Sequence, residues 1–543
     1  MKPKILILIA LVTFSFQLST LNCYAQSWQW AKSGGGTTSD DGTDVCQDNN
    51  GNIYMTGHYD DSPYATSSGT FDTVTVPYIG ASQIFVVKYS STGDVLWAKS
   101  IGGNDPTSSY PEQPIRIIYE PVSNSIYLTG KYNNTMVLGS DTLLGSGFFY
   151  TKISTSGNFI WSKKLSNTMA GSLTSDNEGN IYIGGGCNAA TTFDTVPVQP
   201  NYFIAKFNSS GICLKVNSNI KFCNPSYLAF RNGKLLLTGM TLNDTIQMDT
   251  LTKTFSNPYN LYVARFDQSL HLKWVKFATS NNQARPLDIC LDSLCNSYIV
   301  GYFKTNLNFV SVNLTITSGP QDFFIAKYDS SGIFQWANQG YNTTGFIDYA
   351  FCKPLKNGDF YIAGSYNGTD LHLGTNTISL VNAFIARYNN SGNCLSVVTI
   401  PGSGYCQGLT VDASDNFSII GYFLSTLAIG SYSVTSHGFG DVYIAKHDAL
   451  THVGLKILNA NNQLVIYANP NAGKCTITIP DEFKTETKLT LQIFDNKGIL
   501  LQQTPVEMMQ DKISVNITAE AKGIYTAVLS NGVKSYTGKI IFE

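Results

Sequence analysis

The chain has 543 residues, more than one hydrophobic core usually supports, so we expect two domains or a large repeat array with a small domain. Its formal net charge of −2 gives no electrostatic reason to expect nucleic acid or an anionic membrane surface as a partner. Charged residues make up only 13% of the chain, while glycine, tyrosine and phenylalanine are abundant. This composition is typical of a turn-rich all-β protein and not of a helical one.

The N-terminus has the three parts of a secretory signal peptide. Lys2 and Lys4 supply the basic region, Ile5 to Phe16 is apolar, and small residues favour cleavage between Ala25 and Gln26. A membrane anchor is the alternative, but this apolar stretch is short for one, and we expect no transmembrane segment elsewhere. We therefore expect residues 1–25 to direct export.

One segment recurs along the chain as an apolar strand, a Ser-Gly type turn and a second strand, which predicts a β-hairpin. Its seven copies begin at Phe85, Phe149, Phe203, Tyr262, Phe324, Phe384 and Tyr443. Each copy has a basic residue three positions later, namely Lys88, Lys152, Lys206, Arg265, Lys327, Arg387 and Lys446, about 60 residues apart.

A second segment alternates with the hairpin: a turn, then a strand that ends at glycine, with another apolar strand before it. Its copies begin at Asp48, Ser123, Asp176, Arg231, Asp292, Lys356 and Asp412. Each repeat therefore has four principal strands and a variable insert, which is the pattern of a β-propeller blade. A β-solenoid is the alternative, but its coils are much shorter. We predict that residues 26–450 form a seven-bladed β-propeller of four-stranded blades.

The two ends of the repeat array are complementary. Residues Ser27 to Ser33 match the second half of the hairpin, as at Leu96 to Ser100, whereas the last hairpin at Tyr443 lacks that half. We therefore predict that Trp28 to Ser33 pairs with the strand at Tyr443 to His447. The N-terminal strand would then close the propeller and remove an exposed sheet edge.

The hairpin with its Lys or Arg and Trp, together with the G-N-I-Y-x-x-G strand, resembles the bacterial seven-bladed β-propeller repeat family often labelled SBBP. The resemblance covers about Ser27 to Asp448, although the repeats at Phe203 and Phe384 lack the tryptophan. It implies an extracellular propeller but no particular activity, because one fold hosts many functions.

Residues 455–543 read as a separate small β-sandwich domain. Its opening is similar to the Y-P-N-P-x-x-G start of type IX secretion sorting domains, with Ala468 in place of the first proline. The matching positions are Tyr467, Asn469, Pro470, Gly473, Gly498, Gly523 and Tyr525. The resemblance implies that outer-membrane secretion machinery recognises this domain and commonly removes it, and that the protein is secreted or left at the cell surface.

The repeated aromatic and basic residues each have two interpretations. The tryptophans at one repeat position either form a ring that stacks on sugars or pack between blades, and we favour packing. They are Trp30, Trp97, Trp161, Trp274 and Trp336. The seven repeated cations either form an anion-binding ring or pair with turn acids such as Asp48, Asp176, Asp292 and Asp412, and we favour pairing.

We expect no catalytic residues, no cofactor and no metal site. The Asp-Asn-Gly turns at Asp48 and Asp176 resemble part of a calcium loop but lack its spaced glutamate, and ordinary hairpin turns have the same composition. The six histidines are scattered, and no metalloprotease, serine-hydrolase or phosphate-loop motif occurs.

Ten cysteines remain once the signal peptide is removed, an even number in an oxidising compartment. Two of them occupy one repeat position and each is followed by another cysteine, which predicts the disulfides Cys213–Cys223 and Cys394–Cys406. Cys290 and Cys295 flank a turn and are a third candidate pair. Buried free thiols are the alternative.

Two functions remain open from the sequence. The first is a non-catalytic binding protein for a glycan or another cell-envelope component; the second is an extracellular propeller hydrolase or lyase acting on a polysaccharide. The inserts favour binding because they are short and rich in Thr, Ser, Gly and Asn. Most of their acidic residues follow Phe, Met or Ser and precede Thr, and this repetition indicates a structural turn. The acids are Asp60, Asp61, Asp72, Asp141, Asp194 and Asp249.

Overall fold

The computed structural model describes residues 27–59, 68–77, 83–103, 112–379, 381–450, 464–484, 489–495, 500–506, 511–531 and 535–543. The predicted cleavage site at Ala25 and Gln26, and Gly498 of the tail motif, lie outside these residues. The contacts divide the chain into two compact units, Met1–Thr451 and His452–Glu543. In the described part of the chain, no helix is long and apolar enough to cross a membrane.

The first unit repeats one order of strands: an inner strand, a second strand, a short hairpin, a third strand and an outer strand. After β1 (Trp28–Gly35), the first repeat contains β2 (Asp41–Gln47), β3 (Ile53–Tyr59), β4 (Gly69–Phe71), β5 (Val74–Val76), β6 (Gln83–Tyr89) and β7 (Val95–Ile101). The second contains β8 (Gln113–Glu120), β9 (Ser125–Tyr132), β10 (Thr135–Leu138), β11 (Asp141–Leu144), β12 (Gly147–Ser154) and β13 (Phe159–Leu165). The third contains β14 (Thr168–Ser175), β15 (Ile181–Cys187), β16 (Thr191–Phe193), β17 (Val196–Val198), β18 (Tyr202–Phe207) and β19 (Cys213–Lys221).

The later repeats keep this order. The fourth contains β20 (Cys223–Arg231), β21 (Lys234–Thr241), β22 (Thr245–Met248), β23 (Leu251–Thr254), β24 (Leu261–Phe266) and β25 (Leu272–Ala278). The fifth contains β26 (Ala284–Leu291), β27 (Ser297–Phe303), β28 (Asn306–Asn308), β29 (Asn313–Thr315), β30 (Asp322–Tyr328) and β31 (Phe334–Asn342). The sixth contains β32 (Phe346–Pro354), β33 (Phe360–Asn367), β34 (Asp370–Leu373), β35 (Asn376–Ser379), β36 (Val381–Tyr388) and β37 (Cys394–Pro401). The last contains β38 (Gly408–Val411), β39 (Phe417–Phe423), β40 (Thr426–Ile429), β41 (Tyr432–Thr435) and β42 (Asp441–His447).

The inner, second, third and outer strands of each repeat form an antiparallel four-stranded sheet, such as β2-β3-β6-β7 or β20-β21-β24-β25. The last repeat has no outer strand of its own, and β1 occupies that place in the order β38-β39-β42-β1. Trp30 lies opposite Lys446, and Ser33 lies opposite Tyr443. The N-terminal strand therefore pairs with the same segment that its sequence predicts.

Neighbouring sheets are joined in two ways. Some of the short hairpins pair with the outer strand of the preceding sheet: β4 with β1, β22 with β19 and β34 with β31. Each inner strand also contacts the inner strand of the next repeat, and β38 contacts β2. The apolar side chains between two sheets form a shared core; between the last sheet and the first it includes Phe85, Trp30 and Ile420.

The second unit has two antiparallel sheets, β43-β44-β47 and β46-β45-β48-β49. Its strands are β43 (Val465–Tyr467), β44 (Lys474–Thr478), β45 (Leu489–Phe494), β46 (Leu500–Val506), β47 (Lys512–Asn516), β48 (Gly523–Ser530) and β49 (Ser535–Phe542), with a short 3-10 turn at Asp481–Phe483. Alternating apolar residues of both sheets, among them Ile477, Ile493 and Leu529, pack into one core. This unit has its own hydrophobic core, as a separate domain requires.

Candidate functional site

The inner strands share an irregularity that turns side chains toward one set of cavities. In six described inner strands, the pairing with the second strand shifts by one residue, between Gly42 and Asp44, Pro114 and Arg116, Ala170 and Ser172, Pro225 and Tyr227, Pro286 and Asp288, and Ile347 and Tyr349. Such a β-bulge bends the strand and re-aims a side chain. Residues at and beside these bulges line the cavities described next.

Two adjoining cavities lie where the inner strands begin. The first, which we call the mouth cavity, has a volume of about 870 Å³, and the second, the side cavity, has about 610 Å³. Both are lined by Asp41, Tyr227, Arg285, Tyr349, Phe351 and Gln407. Small-molecule sites usually measure about 300–1,000 Å³. The two cavities are therefore parts of one concave surface with room for a ligand of several rings.

Aromatic side chains dominate the wall of the mouth cavity. Those that line it include Tyr227, Tyr302, Phe346, Tyr349, Tyr405 and Tyr422. Phe346 is 48% exposed and Tyr349 is 41% exposed, although both are large apolar rings. Exposed aromatic rings that gather in a concave surface are typical of a binding site, because a ligand with flat faces can cover them.

The mouth cavity also has charged residues of both signs. Arg285 and Lys304 are its cations, and Asp41 and Asp348 are its acids. An oxygen of Asp41 accepts a hydrogen bond from the side-chain amide of Gln407 at 3.3 Å. Partial burial raises the pKa of Asp348, so the surroundings of this carboxyl disfavour its charged form.

A deeper cavity of about 340 Å³ shares Arg116 and Tyr227 with the side cavity and contains four charged residues. The guanidinium of Arg116 lies 3.6 Å from Asp44 and 4.8 Å from the ring centroid of Tyr227. Burial alone would lower the pKa of Lys353, but the charges of Asp288 and Asp44 outweigh it and raise that pKa. Two acids and two bases therefore lie together below the side cavity.

One histidine–carboxylate pair lines the side cavity. The Nε2 atom of His58 lies 3.8 Å from Asp41, and its Nδ1 atom is buried without a hydrogen-bond partner. A general base needs one ring nitrogen that faces the substrate. Because Nδ1 is buried, only Nε2, which faces Asp41, is left for that role.

The repeated tryptophans lie between sheets and not in the cavities. Except in Trp274, the indole N–H donates to a backbone carbonyl in the hairpin turn of the following sheet, for example from Trp97 to Thr155 at 3.1 Å and from Trp336 to Asn390 at 3.1 Å. The indole also covers the glycine of that turn: a Cβ atom on Gly93 would lie 2.7 Å from Trp30. The positions of the rings agree with packing between sheets.

The repeated cations bind turns of the following sheet or of their own sheet. Lys88 and Lys152 donate to turn carbonyls of the following sheet, at 2.9 and 3.1 Å. Lys206 pairs with the predicted turn acid Asp176 at 3.4 Å. Lys446 pairs with Asp412 at 3.2 Å, and Arg387 pairs with Asp359 at 2.6 Å. Most of these cations thus have partners in turns and do not line the mouth cavity.

The aspartates of the turns accept hydrogen bonds from the backbone of the same turns or lie at their tips. Asp48 accepts hydrogen bonds from the backbone N–H groups of Asn50 and Asn52 and from the hydroxyl of Tyr54, all at 2.9 Å. Asp194 adopts a left-handed conformation, with φ of 49°, in the turn of its hairpin. Asp60 and Asp61 lie outside the described residues. In the described part of the chain, no group of three His, Cys, Asp or Glu side chains could hold a metal ion.

The predicted disulfides are not formed, and all six cysteines are free thiols. Cys213 begins the nine-residue strand β19 and Cys223 follows its end, so the strand separates them by about 30 Å at 3.3 Å per residue. Strand β37 separates Cys394 from Cys406 in the same way. The thiol of Cys295 faces the carbonyl of Arg231 at 3.7 Å, whereas Cys290 is paired across the sheet with Tyr298. A disulfide requires Cα atoms about 4.4–6.8 Å apart.

The predicted tail motif joins the start of the second unit to its last strand. The side chain of Asn469 donates to the carbonyl of Lys539 at 2.6 Å and accepts from the N–H of Ile541 at 2.7 Å. Gly473 has φ of +86°, and a Cβ there would lie 2.8 Å from Thr518. Pro470 follows Asn469 directly. Tyr467 is exposed.

The later landmarks of the motif lie on β48. Gly523 begins this strand and has open space around it. Tyr525, two residues on, is buried in the core of the unit and its hydroxyl donates to the carbonyl of Ala521. The motif residues are therefore distributed between a hydrogen-bonded opening and a packed strand.

The residues of the mouth cavity were missed in the sequence because they lie on inner strands, the least regular part of each repeat. A signal was present: proline directly precedes the extra residue of the bulge at Pro114, Pro225 and Pro286. Proline cannot donate to a sheet ladder and is confined to edges and bulges. In these repeats, the residue two positions later is Arg116, Tyr227 or Asp288.

Residues 465–543 match a family described as the secretion system C-terminal sorting domain. The chain is therefore exported through a type IX secretion system by its C-terminal domain, and the protein is secreted or located at the cell surface. The domain also implies an interaction with the type IX machinery. These matches confirm the sorting domain and the localisation that the sequence predicts.

A WD repeat-containing protein of Acanthamoeba polyphaga mimivirus is 26% identical over 202 residues, which cover 31% of this chain and 14% of that protein. Among solved structures, a PL25 polysaccharide lyase, an ulvan lyase, has a TM-score of 0.40 at 9% identity and covers 73% of this chain and 93% of its own. A Synechocystis apocarotenoid oxygenase variant has a TM-score of 0.36 at 9% identity, with coverages of 90% and 97%.

Proposed function

We propose that the first unit is a closed seven-bladed β-propeller of the SBBP type and that it binds a saccharide in the mouth cavity without cleaving it. Two contacts support closure: β1 pairs with β42 at the outer edge of the last sheet, and β38 contacts β2 between the inner strands. The mouth cavity would then lie at one end of the central axis, which is the usual ligand site of a propeller.

The observation that carries this function is the exposed aromatic wall of the mouth cavity. A sugar ring has an apolar face of C–H groups and a rim of hydroxyls. Tyr349 and Phe346 offer ring faces, while Gln407, Gln321 and Arg285 offer hydrogen bonds. Arg116 and Asp44 pair with each other in the deeper wall. Export to the cell surface or the medium supports the proposal, because extracellular polymers are present there.

A glycan array with the purified full chain tests the proposal. Tyr349→Ala should weaken binding of the best ligand about tenfold, because one stacked ring contributes on the order of 1 kcal/mol. Tyr259→Ala is the matched control, since Tyr259 is 43% exposed and does not line either cavity. Equal binding by both variants, or no bound glycan, would reject the mouth cavity as a saccharide site.

The His58–Asp41 pair favours a second candidate, an extracellular polysaccharide hydrolase or lyase. Both residues line the side cavity, next to Tyr227 and Arg285. In this alternative, Nε2 of His58 would leave Asp41 and exchange a proton with the substrate. Incubation of each bound polysaccharide with the full chain distinguishes the two functions: products that disappear in His58→Asn would establish the enzyme.

For the route of export, we propose that the signal peptide of residues 1–25 is cleaved between Ala25 and Gln26, and that residues 455–543 address the protein to outer-membrane machinery. The family match of residues 465–543 supports this order of events. Mass spectrometry of the exported protein would identify both ends, and an N-terminus other than Gln26 would contradict the cleavage site.

A further inference from the structure

The two cations of the mouth cavity differ from the other charged residues around it. Arg116 has a carboxylate partner in Asp44, and Asp41 is engaged by His58 and Gln407. In the described part of the chain, no carboxylate lies within ion-pairing distance of Arg285 or Lys304. Both therefore present positive charge to whatever occupies the cavity.

The fold holds Arg285 at this position. Pro286 follows it and favours an extended backbone before the bulge at Leu287. Arg285 lies opposite Tyr302 on β27, and Lys304 follows two residues after Tyr302, so both cations border the same part of the cavity. The charge of Arg285 also reaches Tyr227, where it opposes the rise in pKa that burial causes in that phenol.

The acids of the cavity do not neutralise these cations. Asp41 is turned toward Gln407 and His58, and neither Asp41 nor Asp348 lies within ion-pairing distance of Arg285 or Lys304. The mouth cavity thus contains two cations that are not paired with its two acids. The oxyanion groups of a ligand could therefore bind these cations directly.

We propose that the mouth cavity selects saccharides that carry oxyanion groups, either uronic-acid carboxylates or sulfate esters, through Arg285 with Lys304 as a second contact. This inference rests on the saccharide-binding function proposed above. A guanidinium binds carboxylate or sulfate oxygens through two parallel N–H donors, whereas the ammonium of Lys304 acts as a point charge. The flanking rings of Tyr302 and Tyr349 hold the sugar faces, so charge and shape are recognised together.

The test compares four polymers of similar length bound to the full chain: a neutral glucan, a polyuronate, a sulfated glycan and poly-glutamate. We expect the polyuronate, the sulfated glycan or both to bind at least tenfold tighter than the glucan, with affinity that falls as salt is added. Arg285→Gln should remove most of that difference, because it should weaken binding of the anionic polymers far more than binding of the glucan. Lys304→Gln should produce a smaller loss.

Arg231→Gln is the matched control, because Arg231 is an exposed arginine at the far end of the neighbouring inner strand and does not line the mouth cavity. Equal melting temperatures of the variants would establish that the fold is intact. Equal binding of glucan and anionic glycans, with no effect of Arg285→Gln, would overturn this inference and leave the saccharide-binding function standing. Poly-glutamate bound as tightly as the glycans would also overturn it, whereas no glycan binding at all would reject both proposals.

Discussion

At the scale of single residues, the contact of a tryptophan with the next turn glycine recurs between sheets. The glycine must have positive φ and must also lack a Cβ, because the indole lies on it: +91° for Gly93 and +70° for Gly211. Trp30 and Trp161 are the rings that cover them. Each contact joins residues of two different repeats, so its loss should lower the stability of the whole array.

Gly93→Ala should therefore lower the free energy of unfolding more than an ordinary turn substitution. The backbone conformation alone costs about 1–2 kcal/mol for a non-glycine residue, and the overlap with Trp30 should add about 1–3 kcal/mol. Gly233→Ala is the control, since Gly233 has φ of +75° but a Cβ there would meet its nearest atom at 3.8 Å. Chemical denaturation measures both; equal losses would show that the contact with the indole is unimportant.

A buried carboxyl gives the array a dependence on pH. Glu112 is 6% exposed, and burial raises its pKa from 4.5 to about 8, although a hydrogen bond from the N–H of Gly103 opposes the rise. The folded chain then holds a proton that the unfolded chain releases, so stability decreases as pH rises from about 4.5 to about 8 and is constant on either side.

Glu112→Gln should flatten this part of the pH profile and raise stability at pH 8, because an amide needs no proton to stay neutral. Denaturation midpoints at pH 5, 6.5 and 8 measure the effect, with the exposed Glu178→Gln as the control. A variant that keeps the slope of the parent protein would assign the pH dependence to other groups.

At the scale of elements, β1 acts as the outer strand of the last sheet. It pairs with β42, its Trp30 donates to Ser91 of the first sheet at 3.2 Å, and β4 extends it on the other side. The strand thus contacts the last and the first repeats together. Few N-terminal segments are bound on both sides in this way.

A chain that starts at Gly36 should therefore be much less stable than one that starts at Ser27, and addition of a peptide of residues 27–35 should restore part of the loss. Denaturation and limited proteolysis compare the two chains. If the shorter chain unfolds at the same denaturant concentration, the pairing of β1 does not hold the array together, and the closed propeller loses its main support.

The sequence predicted these elements where a motif repeats. The all-β class is confirmed, and the hairpins at Phe85 to Tyr443 contain the third strand and, in all but the last, the outer strand of each sheet. A strand pattern identifies each of them, and all but those at Tyr262 and Tyr443 also have a turn glycine. The blade number and closure remain predictions. The mouth cavity was not predictable, since Arg285, Tyr349 and Tyr405 come from three successive repeats and line one space beside bulges that no periodicity reveals.

At the scale of the whole molecule, the two units contain different functional features. The first contains the cavities, and the second contains the sorting domain with its own core. Because the contacts separate the units at Thr451, the second should act as an address that does not depend on the first. This division makes export and ligand binding separable properties of the chain.

A chain that ends at Thr451 should consequently keep its fold and accumulate in the periplasm, and a periplasmic reporter fused to residues 452–543 should reach the surface. Cell fractionation and surface labelling measure both. Asn469→Ala offers a milder test in the full chain: it removes the hydrogen bonds to Lys539 and Ile541, so the surface fraction should decrease while the first unit stays folded. Asn516→Ala, on an exposed strand end of the same unit, is the control. Surface delivery of the truncated chain at the level of the full chain would show that the address lies within residues 1–451 and not in the second unit.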